Sequence, residues 1–211
     1  MKDISIAKSY DDGARYYAST WKDVHPWLQR ARKEVERYIR PNMNVLEIGF
    51  GAGRDLAYLR RMGLQVTGID ISKEMVKLAA AEQPEVRLIH GDFRTANLPL
   101  GAFDLVWASY SLLHIKPEEF DAALLRVANL LSASGLLFLT MSISDQTIWR
   151  FVPVAGLADK EGKPVPVWNG TWNVEDLTRH LEKRMTPIWS EAVEGGLPGR
   201  ILYAAIWRKQ S

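Results

Sequence analysis

Cysteine is absent from all 211 residues, which removes disulfides, thiolate nucleophiles and cysteine-based zinc sites at once. A dominant charge is lacking too. Lys and Arg number 27 against 25 Asp and Glu, a net of +2. No basic block or stripe accompanies it, so nucleic acid is not the expected partner. No apolar run approaches the length of a membrane span, and the segment Met1-Lys2-Asp3-Ile4 lacks the apolar core of a signal peptide. The expectation is a cytoplasmic protein with no membrane partner. No His, Asp and Glu grouping has metal-ligand spacing, so no metal is expected. No internal repeat or low-complexity tract is present. What is present, 47 % hydrophobic and 25 % charged residues, is enough to bury one ordinary core, and a single domain is expected.

The most informative stretch is Val45–Gly53, Val-Leu-Glu-Ile-Gly-Phe-Gly-Ala-Gly. An apolar strand runs into a turn with Gly49, Gly51 and Gly53 at every second position. Glycine permits positive φ and close approach of a ligand to the backbone. A helix opening at Arg54–Asp55 turns its free N–H groups to that point. A tight packing turn is one reading. A dinucleotide site is another, but the third glycine of G-x-G-x-x-G would fall on Arg54. Glu47, at the end of the strand, would repel a pyrophosphate. It would tolerate a ligand with positive charge and no phosphate, and S-adenosylmethionine (SAM) is of that kind.

The periodicity around this turn is βαβα. Residues 10–40 read as helix, with Tyr10, Ala14, Tyr17 and Trp21 on one face and a break at His25-Pro26. Strand 45–49, helix 54–62, strand 65–70, a helix capped by Ser72, strand 86–90, strand 103–108, helix 117–131 and strand 136–141 follow. Met75, Val76 and Ala79 are expected on the buried face of the Ser72 helix. A parallel sheet covered on both faces is expected. Its ligand belongs beyond the carboxyl ends of the strands, where Glu47, Asp70, Asp92 and Ala108 end four of them. Residues 142–173, with several Pro and Gly and four Trp and Phe, read as a lid-like loop. A helix capped by Asn173 and strands 187–193 and 201–207, joined through Gly195–Gly199, complete the chain as a C-terminal hairpin.

This order of features resembles the class I SAM-dependent methyltransferases. Val45–Gly53 resembles the family's first motif, Val66–Ser72 with Met75 the second, and Gly91-Asp92-Phe93 the third. Phe103–Val106 with Leu112-Leu113-His114 resembles the fourth. Leu130–Leu139 resembles the fifth, with Ala133-Ser134-Gly135 where Pro-Gly-Gly is usual. Tyr10-Asp11-x-x-Ala14-x-x-Tyr17 resembles the cap helix of small-molecule members. The resemblance implies a Rossmann-like α/β fold with a seven-stranded, mostly parallel sheet. It divides the chain into a helical cap (1–40), a SAM-binding core (41–141), the lid-like loop (142–173) and a C-terminal helix and hairpin (174–211).

The resemblance also implies roles. Gly49, Phe50, Gly51 and Gly53 would bring the backbone to the cofactor, and Glu47 would orient its amino group. Asp70 would accept from the ribose hydroxyls, which suits an acceptor-only carboxylate. Asp92 and the Phe93 N–H would address the adenine, between Ile71 and Met75, though Met75 reads equally as core. The Ala108 carbonyl would meet the ammonium, and Tyr17, Trp21 and Arg54 are candidates for the methionine carboxylate. The product would be S-adenosylhomocysteine (SAH). His114 is a candidate base or a hydrogen-bonded loop histidine, and Tyr17 and Tyr110 are secondary candidates. The expected acceptor is a small molecule, aromatic or apolar, methylated on O or N, by a monomer or homodimer. The alternatives are a SAM-binding scaffold without catalysis and an enzyme acting on tRNA or protein.

Overall fold

The computed structural model describes residues 5–21, 25–194 and 201–210. The Met1–Ile4 segment and the 195–199 turn lie outside the described residues.

Five strands run parallel, as the apolar runs separated by helices require. They are β1 (Asn44–Ile48), β2 (Gln65–Asp70), β3 (Arg87–His90), β4 (Phe103–Ser109) and β5 (Leu131–Ser144). Two C-terminal strands, β8 (Met185–Glu194) and β9 (Ile201–Lys209), form an antiparallel hairpin, and β9 pairs antiparallel with β5. The body of the sheet has the order β3-β2-β1-β4-β5-β9-β8. This is the seven-stranded, mostly parallel sheet that the sequence implied. Helices α3 (Arg54–Arg61), α4 (Lys73–Glu82), α5 (Pro117–Leu130) and α6 (Val174–Glu182) occupy the connections.

Alternation along the strands supplies both faces. Val45, Leu105, Trp107, Leu136 and Phe138 point to one layer, with Tyr58 and Leu59 of α3. Leu46, Val106, Ala108, Leu137 and Leu139 point to the other, with Phe120, Leu124 and Val127 of α5. Each large side chain buried in this way contributes roughly 1.5–3 kcal/mol. Strands buried on both sides must be apolar at every position, which is why they read as runs.

Two segments differ from the sequence expectation, and a third refines it. The helical cap (1–40) breaks at His25-Pro26 as expected, but its two helices have separate duties. The first, α1 (Ile6–Thr20), lies over the strand ends, whereas α2 (Pro26–Glu36) buries Trp27, Leu28, Ala31 and Val35 in the core. The turn expected at 132–135 interrupts β5, with Ser134 at φ 61° and the register to β4 shifted there. Most plainly, 142–173 is not an irregular loop. It holds an antiparallel ribbon of β6 (Ile148–Ala158) and β7 (Pro164–Asn173), joined to the end of β5 through Ile143–Trp172 and Ser144–Asn173. Its turn-forming residues sit within paired strands: Pro153 faces Pro166, and the register shifts between Pro153 and Ala158, around Gly156. The aromatic side chains pair across the ribbon, with Trp149 stacked on Trp168 at 5.9 Å.

Candidate functional site

The glycine turn is shaped from below. Gly49, Gly51 and Gly53 have φ of 70°, 56° and 89°, values that side-chain-bearing residues rarely adopt. A Cβ on Gly49 would stand 2.6 Å from the Ser111 Cβ, and one on Gly51 would stand 3.2 Å from the Tyr17 ring. Protein atoms already enforce glycine at both positions. Beneath the turn, Asp55 bonds Arg32, accepts from Arg54 Nε at 2.9 Å and from Trp107 Nε1 at 2.8 Å. Burial alone would raise the Asp55 pKa, but the two guanidiniums and these bonds hold it below the usual range.

Asp70 ties the turn to β2 and α4. Its Oδ2 accepts from Gly51 N at 2.9 Å and its Oδ1 from Ser72 N at 2.8 Å. Each oxygen keeps a second lone pair. Burial pushes its pKa up to about 6 against the pull of those two N–H groups. Ser72 caps α4 by accepting from Met75 N. From α1, Asp11 Oδ1 accepts from Ser72 Oγ at 2.6 Å and from Glu74 N at 3.0 Å. On the other side of α1, Ser9 Oγ donates to Pro166 O of the ribbon at 2.8 Å. The helix is pinned at both flanks, with Ile6, Tyr10 and Tyr17 turned to the space below.

That space is a cavity of about 110 Å³ and a smaller one of about 30 Å³, sharing Tyr17, Gly49 and Ser109. The larger is lined by Gly49, Gly51, Asp70, Ile71, Asp92 and Phe93, and on its far side by Tyr10, Ser109, Tyr110, Ser111, His114 and Ile115. The smaller is lined by Trp21, Glu47, Phe50 and Arg54. Glu47 is 2 % exposed, and its Oε2 has no hydrogen-bond partner. Burial, with the Asp55 charge beside it, pushes its pKa well above the carboxylate range. Ser111 Oγ is buried and unpartnered as well. A cationic, polar ligand would satisfy these atoms, so the residues fit SAM on their own chemistry.

Several expected site residues are placed differently. Met75 and Gly53 line neither cavity. Met75 is fully buried one turn into α4, and Gly53 packs on Ala79. The Ala108 side chain is in the core, and Ser109 is the β4 residue that reaches both cavities. The Asp92 carboxylate is gripped by Arg94 through Nε and Nη2, and Arg94 also donates to Glu119 at 2.6 Å. Burial would raise the Asp92 pKa, but these bonds hold it low. His114, the candidate base, has both ring nitrogens engaged at 2.7 Å, Nδ1 with Trp168 O and Nε2 with Tyr10 Oη. Burial lowers its pKa to about 4. Burial likewise pushes the Tyr17 phenol up to about 12, against the nearby Arg54. Neither is a free base near neutrality.

Ile6, Tyr10 and Arg94 are site residues to which the sequence assigned no role, and Tyr110, a secondary candidate base, lines the larger cavity with them. Tyr10 shares the helical face of Tyr17, and Tyr110 directly follows β4. Those were the available signals. Among the described residues no three His, Asp or Glu stand together as metal ligands, and no helix is long and apolar enough to cross a membrane.

Comparison with known proteins agrees with this geometry. Residues 45–135 match the family model described as a methyltransferase domain. An uncharacterized methyltransferase of Geobacillus thermodenitrificans is 30 % identical over 146 residues, 68 % of this chain and 67 % of that protein. Among solved structures, a Burkholderia thailandensis 1,6-didemethyltoxoflavin-N1-methyltransferase with bound SAH superposes with a TM-score of 0.71 at 20 % identity, covering 100 % of this chain and 93 % of that one. The [4+2]-cyclase SpnF superposes with a TM-score of 0.70 at 19 % identity, covering 97 % and 95 %. At these identities the two structures speak for the fold alone.

Proposed function

This chain belongs to the class I SAM-dependent methyltransferase family, and from that premise we propose that it methylates a nitrogen atom of a small molecule whose body is aromatic or apolar. SAM supplies a methyl group already activated on a sulfonium, to be taken by a nucleophile held in line with it. The chain's own contribution is binding, orientation and exclusion of water. Asp70 offers lone pairs to a diol, Ile71 and Phe93 offer apolar contact, and Glu47 and Arg54 offer opposite charges to an ammonium and a carboxylate. The observation that carries the proposal is the far wall of the larger cavity. Tyr10, Tyr110, Ile115 and His114 line the space under α1 with a mostly aromatic and apolar surface, which suits a small molecule of the same character.

Nitrogen is favoured over oxygen by the proton states. With His114 lowered to about 4 and Tyr17 raised to about 12, neither of these candidate bases is poised to take a hydroxyl proton at neutral pH, and Asp70 is committed to the glycine turn and to Ser72. An aromatic amine or a weakly basic ring nitrogen carries its lone pair at that pH without help. The test is incubation with SAM bearing a labelled methyl group and a panel of paired aromatic amines and phenols. Label in amine products with stoichiometric SAH supports the reading, and label in phenols alone refutes the choice of nitrogen.

A second reading, a SAM-binding protein that transfers no methyl, draws on the same lack of a base and on the cyclase that shares this fold. SAH formation that depends on added acceptor separates the two.

A further inference from the structure

On the far wall of the larger cavity, three groups form a chain in which every hydrogen-bond direction is forced. The Trp168 carbonyl can only accept, so the 2.7 Å contact with His114 Nδ1 places the ring proton on that nitrogen. Burial keeps the imidazole neutral, so Nε2 carries no proton and can only accept. The 2.7 Å contact between Nε2 and Tyr10 Oη is therefore donated by the phenol. Tyr10 has one O–H, and it is committed. Its ring is fixed by edge-on contacts with His114 at 5.3 Å and Tyr17 at 5.8 Å, and burial raises its pKa, so the proton stays. All that Tyr10 can turn to the cavity is a lone pair.

We propose that Tyr10 is a specificity-determining residue of the acceptor site: its oxygen, held acceptor-only by His114 and the Trp168 carbonyl, selects a small molecule that presents an N–H donor on an aromatic or apolar body. The inference rests on the methyltransferase reading and adds to it the polarity of the acceptor's reacting edge. The ribbon thereby gains a function, because β7 reaches the site through one backbone carbonyl and sets the polarity of a tyrosine on a different element. With the opposite tautomer the same tyrosine would donate and would select a carbonyl.

The experiment uses the full chain loaded with SAH, and two probes, aniline and N,N-dimethylaniline, which differ in having or lacking the N–H. Their dissociation constants are measured by NMR titration in the native protein and in Tyr10→Phe. Nitrogen-15 shifts of the His114 ring are recorded in the native protein. The expected result is a protonated Nδ1 and a bare Nε2. With it comes a preference for aniline of roughly fivefold to tenfold, the size of one buried hydrogen bond, which falls to within about twofold in Tyr10→Phe. A protonated Nε2 at neutral pH, equal affinities in the native protein, a preference that survives in Tyr10→Phe, or no binding of either probe would each overturn the proposal. SAH affinity, measured first in both proteins, reports separately on the underlying reading. A native protein that does not bind SAH refutes that reading, and a Tyr10→Phe protein that binds it is folded.

Discussion

Asp70 Oδ2 accepts from the Gly51 backbone N–H at 2.9 Å, so one carboxylate both closes the glycine turn and faces the cavity. Burial of that carboxylate makes affinity and stability respond oppositely to pH. The Asp70 pKa is raised from 3.8 to about 6 by burial. An acid with a raised folded pKa contributes stability that is fully present below its unfolded value and is lost as pH rises through the folded one. Free protein should therefore gain stability between pH 7 and pH 4, by an amount of order 2–3 kcal/mol from this group. SAH affinity should fall as pH drops below about 6, because the diol needs the ionised acceptor. Denaturant melts and titrations across this range check both trends, and Asp70→Asn should flatten both.

Glu47 supplies a second pH-linked signature. Its pKa lies well above the carboxylate range, because it is buried and shares its surroundings with Asp55. A cation arriving at its unpartnered Oε2 should drive the proton off. Calorimetric titration of SAM in two buffers of different ionisation enthalpy, at a pH where free Glu47 holds its proton, should show net proton release. In Glu47→Gln the release should vanish and the affinity should fall by about tenfold or more, the loss of one charge-assisted bond.

The glycines of the turn and those of the loops should respond differently to alanine. At Gly49 (φ 70°), an added Cβ meets Ser111 at 2.6 Å, whereas at Gly101 (φ 64°) it meets nothing within 4 Å. The backbone penalty, about 1–2 kcal/mol, is common to both. Gly49→Ala adds an overpacking cost of about 1–3 kcal/mol. Urea midpoints of the two variants should separate by that increment, and only Gly49→Ala should lose SAH binding.

Asp11 is the latch of α1. Removing it leaves the Ser72 cap of α4 in place and breaks two bonds between helices. Asp11→Ala should cost about 1–3 kcal/mol. It should also speed hydrogen exchange across Ile6–Thr20 while leaving α5 unchanged.

The core strands and their parallel pairing were legible because period and burial agree. Runs such as Leu105–Ala108 can be apolar at every position only between two layers. The carboxylates at 47, 70 and 92 were legible because topology fixes where strand ends gather. The ribbon was hidden by its composition. Pro153, Gly156, Pro164 and Pro166 punctuate a segment whose strand pairing depends on cross-strand aromatic contacts that no local pattern reveals. The polarity of Tyr10 was hidden for a related reason. It is set by His114 and by a carbonyl at Trp168, 158 residues along the chain from Tyr10. A backbone carbonyl also has no signature in a sequence. The grip of Arg94 on Asp92 was missed although the two are neighbours, since an Asp in a turn reads the same with or without it.

The central claim is tested most directly by calorimetric titration of SAH into the native chain and into Asp70→Ala at pH 7.5, with folding of both verified by melting. The account predicts saturable binding to the native chain, weakened by roughly 100-fold or more in the variant, since two ribose hydrogen bonds to a charged group are lost. Equal affinity in the two proteins would contradict the assignment of Asp70. The absence of binding to a folded native chain would contradict the account as a whole.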